Sequence, residues 1–147
     1  MTSEAQRLAE QVSAALYARD SAARALGITI RSVAPGAATL TMPVRADMLN
    51  GHAICHGGLI FAIADTAFAY ACNSYNDSTL AAAASIEFLA PARLGDLLTA
   101  VAKEQNRGRR LGVYDIEVSR QDGTRVALFR GRSAKVSGTV LAGPAGK

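Results

Sequence analysis

The densest chemistry in this 147-residue chain lies in Asn50-Gly51-His52-Ala53-Ile54-Cys55-His56-Gly57-Gly58, which holds both histidines and one of the two cysteines. The apolar run Leu59-Ile60-Phe61-Ala62-Ile63-Ala64-Asp65-Thr66-Ala67-Phe68 follows, with one carboxylate, Asp65, and no cation within four residues of it. Desolvating an unpaired Asp is costly, so Asp65 either bonds backbone amides at a seam or serves as a tuned general base. Gly57-Gly58 at a helix start either permits close packing or exposes backbone N–H groups at the positive helix end. Such amides can hold a developing oxyanion. His52 and His56 read as polar loop groups or as members of a site. Their i,i+4 spacing converges on a metal only in a helix, and Gly51, Gly57 and Gly58 argue for a loop, so no metal is expected. Cys55 beside His56 is a poor thiol nucleophile, because adjacent side chains point apart and Cys is commonly a small buried hydrophobe.

The elements around these residues follow from periodicity. Ser3 and Gln6 form the pattern of a capping box, and Ala5, Leu8, Ala9, Val12, Ala15 and Leu16 recur at helical spacing to about Ala18. Asp20 or Ser21 caps a short turn that Gly27 ends. Ile28 and Ile30, then Ala38, Leu40, Met42 and Val44, alternate as strands around a Pro35-Gly36 type II turn. Pro43 marks a strand end or an edge. From Gly57 to about Ser74 the chain reads as a helix apolar all round, hence buried. Four strand-like segments follow: Leu80–Leu89, Asp96–Gln105, Arg110–Arg120 and Thr124–Val136. Asp122-Gly123 between the last two is a hairpin signal. Only one long helix lies between strands, so a doubly wound sheet is excluded and a curved antiparallel sheet wrapped around that helix is expected. The tail from about residue 138 is Gly/Pro-rich and expected to fray.

Helix geometry also speaks to assembly. Gly58 and Asp65 lie on one helix face but roughly 10 Å apart along the axis. One reacting carbonyl cannot touch both in the same helix. Two helices antiparallel across a two-fold axis would bring one chain's Asp65 to the other's Gly57, so a site using both is shared between subunits. By the same arithmetic a helix separates Cys55 and Cys72 by roughly 25 Å, too far for a disulfide.

The whole chain sets the bounds. Its length fits one domain. Half the residues are apolar and 19% charged, which excludes disorder, while aromatics are only 5%, so subunit association is expected to complete the burial. The net charge of +4 is mild and lacks the aromatic interleaving of a single-strand nucleic-acid binder. Two cysteines make no secreted disulfide framework, the N-terminal stretch lacks a signal-peptide core, and the longest apolar stretch is too short to span a bilayer. A cytoplasmic protein is expected.

The stretch from Leu49-Asn50-Gly51-His52 through His56-Gly57-Gly58 to Ala64-Asp65-Thr66-Ala67-Phe68-Ala69-Tyr70-Ala71-Cys72 resembles the hotdog-fold acyl-CoA thioesterases, in particular their phenylacetate-degradation branch. The resemblance runs over nearly the whole chain, including Gly112–Glu117 and Val126–Gly131. It implies an α+β hotdog fold over residues 1–147, a six-stranded antiparallel sheet around one long helix. It implies a homodimer with a continuous sheet, usually paired into a tetramer. It further implies hydrolysis of an acyl-CoA thioester, without a separate cofactor. In that frame Asp65 activates water or attacks directly, the Gly57 N–H polarises the carbonyl, Asn50 holds water or carbonyl, and His56 orients its neighbours. Gly58 and His52 lie against the substrate. Some relatives place a Ser on the strand after the helix; here that region reads Leu80-Ala81-Ala82-Ala83-Ala84, so the helper is missing. The branch implies an aromatic acyl group, foremost ring-hydroxylated phenylacetyl. Phe61 and Phe68, four residues before and three after Asp65, share its face and either wall an acyl pocket, with Leu59 or Met48 near its mouth, or are ordinary core.

Two other functions compete. A hotdog dehydratase would remove water from 3-hydroxyacyl thioesters, but here the acid follows an Asn and a Gly-Gly turn, the thioesterase arrangement. A non-catalytic acyl-CoA-binding protein would need an effector module, and the first helix is too short for a DNA-binding domain. Arg107-Gly108-Arg109-Arg110 reads as a solvated hairpin tip rather than a nucleic-acid site. Those arginines, or Lys103, Arg130 and Lys135, are the candidates for the CoA phosphates.

Overall fold

The computed structural model describes residues 2–144. Helix α1 (Glu4–Arg19) and the single turn α2 (Ser21–Ala25) precede β1 (Thr29–Ala34) and β2 (Ala37–Pro43). Helix α3 (Gly57–Cys72) is followed by β3 (Asp77–Phe88), β4 (Leu97–Arg107), β5 (Leu111–Ser119) and β6 (Arg125–Thr139). The six strands form one antiparallel sheet in the order β1-β2-β4-β5-β6-β3. Helix α3 lies across the inner face, chiefly against β2, β4 and β5. Inward residues of those strands, Leu40, Met42, Leu98, Tyr114 and Ile116, are buried with Ile63 and Phe68 of the helix. This is the wrapped-helix architecture that the alternating and helical patterns predict.

Three local differences have physical reasons. The Ser3–Gln6 box is half formed: Ser3 Oγ accepts from the Gln6 N–H at 3.0 Å, but the Gln6 amide turns away to donate to Val33 O at 2.7 Å. It thereby ties α1 to the β1 edge of the sheet. Strand β6 runs to Thr139 and Val140 is buried, so ordered chain continues past the expected start of the tail. Pairing with the first residues of β3 extends it, Asp77 lying opposite Thr139. The remainder of the expected tail, residues 145–147, lies outside the described residues.

The third difference matters most. Helix α3 is apolar all round but not covered all round: Ala62, Asp65, Thr66 and Ala69, spaced along one face, are only half-buried. Beside that face lies β3, which among the described residues pairs with β6 on one edge only. Its residues from Leu80 to Ser85 are exposed. Among the described residues no helix is long and apolar enough to cross a membrane.

Candidate active site

The loop before α3 is held by its own backbone and one side chain. Asn50 Oδ1 accepts from the His52 N–H at 2.9 Å and the Ile54 N–H at 3.4 Å, while the Asn50 N–H donates to Ile54 O. Ala53 takes a left-handed φ of 58° inside this loop, a strained conformation for a residue with a Cβ. The Cys55 N–H donates to Ala92 O at 2.7 Å and the His56 N–H to Met48 O at 2.8 Å. These bonds deliver the chain into the helix at a set angle. The Asn50 oxygen is therefore occupied, which leaves its amide NH2 as the group available to a ligand. The His52 and His56 side chains are exposed, and His56, at the N-cap, makes no side-chain bond to the helix end. Among the described residues no three His, Cys, Asp or Glu side chains cluster as a metal site.

Past His56 the first helical amides are open. The Leu59 N–H already bonds His56 O at 2.9 Å, but the N–H groups of Gly57 and Gly58 meet no acceptor among the described residues. A Cβ on Gly57 would sit 3.1 Å from Phe88 Cζ, so glycine lets the last residue of β3 close over the helix start. Gly58 faces open space.

Asp65 lies two turns further on. It is half-buried, and no side-chain hydrogen bond reaches it among the described residues. Burial pushes its carboxyl above the usual range. The neighbouring Thr66 hydroxyl turns back to donate to Ala62 O at 2.6 Å. Asn73, the C-cap of α3, accepts from the Thr79 N–H at 2.9 Å and donates to Thr79 O at 3.0 Å. This pair of bonds clamps the start of β3 alongside the helix. As a result Asp65, Ala69, Leu80 and Ala81 share the wall of a cavity of about 800 Å³. The cavity's other walls come from α1 and from β6 with the residues just after it.

The two phenylalanines separate. Phe68 is 1% exposed, packed on Tyr114 and Phe129 at ring distances of 5.6 and 5.9 Å. It packs in the core and also lines the cavity beside Asp65. Phe61 is half-buried, edge-on to Phe129 at 5.1 Å, and lies outside that cavity, as do Leu59 and Met48. Both thiols are buried, which raises the Cys55 pKa and pushes that of Cys72 up to about 12, the direction that disfavours the reactive thiolate. A separate cavity of about 540 Å³ lies on the sheet's outer face, between Lys103, Asp115 and Arg130, and shares no residue with the loop or α3.

The family model of the thioesterase superfamily matches residues 52–127, from the loop through α3 and well into the sheet. The acyl-coenzyme A thioesterase PaaI of Escherichia coli K12 is 52% identical over 126 residues, 86% of this chain and 90% of that protein. The chain belongs to the thioesterase superfamily. The solved structure of the E. coli PaaI protein from the phenylacetic acid degradation operon superposes with a TM-score of 0.90 at 51% identity, covering 91% of this chain and 97% of that one. Human acyl-coenzyme A thioesterase 13 is 29% identical over 138 residues, covering 92% of this chain and 97% of that protein. This thioesterase thus has the hotdog fold and the hydrolytic class that its loop and helix predict.

Beyond Asp65 and Phe68, its cavity residues were not legible in sequence. Ala69, Leu80 and Leu16 come from three elements that periodicity cannot place side by side.

Proposed function

We propose that this thioesterase hydrolyses aryl-acyl-CoA, foremost ring-hydroxylated phenylacetyl-CoA, to the free acid and CoA in the cytoplasm. One observation carries the reading. A lone carboxylate, desolvated and without a partner among the described residues, stands on the open face of an apolar helix at the wall of a cavity. The 52% identity to an enzyme named acyl-CoA thioesterase supports the substrate class, and the phenylacetic acid operon of that relative supports the aromatic acyl group. Water, deprotonated by Asp65, adds to the thioester carbonyl; alternatively the carboxylate itself attacks and water releases the acyl group afterwards. In either course the C–S bond breaks and CoA leaves as the thiolate. The Gly57 N–H, with the helix dipole behind it, steadies the oxyanion. The Asn50 NH2 holds water or carbonyl, and His56 orients them from the N-cap, with Gly58 and His52 along the substrate. CoA is part of the substrate, and this reaction needs no metal or other cofactor.

Asp65 and Gly57 of one chain are too far apart along α3 to meet one carbonyl. We therefore assign the site to a homodimer, with pairing into a tetramer. The bare β3 edge and the open α3 face support this reading. Leu80 and Asp65 line the same cavity, and Phe88 lies against Gly57. If a second β3 pairs antiparallel about Ala84, midway between them, Leu80 of each copy stands opposite Phe88 of the other. That register brings Asp65 to the Gly57 of the second copy.

A panel of acyl-CoA esters assayed for free thiol tests the function. Arylacetyl esters are expected to show higher kcat/KM than long straight-chain esters. A better rate with palmitoyl-CoA would remove the aromatic assignment, and a flat profile near zero would remove hydrolysis altogether.

A further inference from the structure

The cavity beside Asp65 extends in one direction only. From Asp65 it runs past Ala69, one turn on, towards the C-terminal end of α3, and away from Gly57. Its outer side is built by chain far away in sequence: Leu16 at the end of α1, and Val140 just past β6. These walls are tied together. Arg19 Nη2 donates to Val140 O at 3.1 Å, which pins the end of β6 to α1. The Tyr70 hydroxyl donates to Asp20 Oδ2 at 3.2 Å, which pins the α1–α2 corner to α3. On α3 the lining after Asp65 includes Phe68 and Ala69, and the small Ala69 leaves room. A volume of about 800 Å³ falls in the range of small-molecule pockets.

We propose that the acyl group lodges in this chamber, with Ala69 and Leu16 setting the size of acyl group accepted. The proposal rests on the thioesterase reading above. Of the residues that helix spacing put around the acyl site, it keeps Phe68 in the wall and leaves out Phe61, Leu59 and Met48. Met48 is 1% exposed and Phe61 is engaged with Phe129, so that side of Asp65 has no comparable room. Helix α1 thereby becomes a specificity element: it closes the far wall of a chamber whose reactive end it does not touch.

The test compares ratios of kcat/KM within one enzyme, so that a general loss of activity cancels. In Ala69→Leu the phenylacetyl-CoA to acetyl-CoA ratio is expected to fall about tenfold or more, because added methylenes occupy the space of the ring. In Leu16→Ala the naphthylacetyl-CoA to phenylacetyl-CoA ratio is expected to rise. Circular dichroism melts identify a variant that fails to fold, and the other variant then decides. Ratios within twofold of wild type in the folded variants overturn the chamber while leaving the thioesterase intact. A wild-type enzyme that releases no thiol from any of these esters overturns both.

Discussion

Asp65 carries both the chemistry and a cost. Its charged form is disfavoured by burial in the folded chain, so its folded pKa lies above the unfolded one. Folding is unpenalised by this group below the unfolded pKa, and stability is lost as pH rises through the folded value. Asp65→Asn is therefore expected to melt above wild type at neutral pH, with the gap closing in acid as the carboxylate protonates. The same variant is expected to lose turnover about a hundredfold or more, since Asn keeps the size and removes the basicity. Unchanged hydrolysis in a folded Asp65→Asn protein would rule the carboxylate out. Asn50→Ala is expected to lower turnover less severely while also loosening the loop, because the lost oxygen braces two backbone N–H groups. Its melting temperature distinguishes it from His56→Ala, whose side chain braces nothing in the helix cap.

At the scale of elements, α3 keeps its distance from the sheet through one close contact. A Cβ at Gly131 of β6 would stand 2.6 Å from Phe68 Cε2. That ring is hemmed by Tyr114 and Phe129 and cannot swing aside. Gly131→Ala is thus expected to destabilise the fold by about 1–3 kcal/mol through overpacking. Because the displaced helix carries Asp65, turnover should fall with it. Denaturant melts beside kcat check both effects, and a neutral melt would show that the helix has slack.

The whole molecule presents an edge that an isolated chain would manage badly. Natural edge strands are blunted by charge, proline or cover, whereas Leu80-Ala81-Ala82-Ala83-Ala84-Ser85 offers small apolar residues and free backbone groups. A second copy paired about Ala84 would set the two Ala84 Cα atoms about 4.5–5.5 Å apart. That falls within disulfide range, so Ala84→Cys is expected to cross-link into dimers on oxidation. Non-reducing gels read the result, and monomer alone would reject the register. Ala84→Lys, which places like charges on the axis, is expected to shift sedimentation towards monomer and to lose activity in step. A fully active monomer would overturn the shared site.

Local pattern was enough for the element order and for the isolation of Asp65. Strand alternation has period 2 and the helix period near 3.6, and both survive in a single chain read residue by residue. The Asn50–Gly58 loop was legible for the same reason, since its residue types are adjacent in sequence. Periodicity says which residues share a face but not what lies against it. Phe61 and Phe68 therefore looked equivalent about Asp65, until β5 and β6 folded over one of them and buried it with Tyr114 and Phe129. Nor does sequence show that the Asn50 oxygen is taken up by the loop's own N–H groups. Only tertiary structure could place β3 at the far edge beyond β6, leave one face of α3 open, and bring Leu16 and Val140 to the cavity beside Asp65. Leu16 and Val140 lie 49 and 75 positions from Asp65, separations over which no local propensity acts.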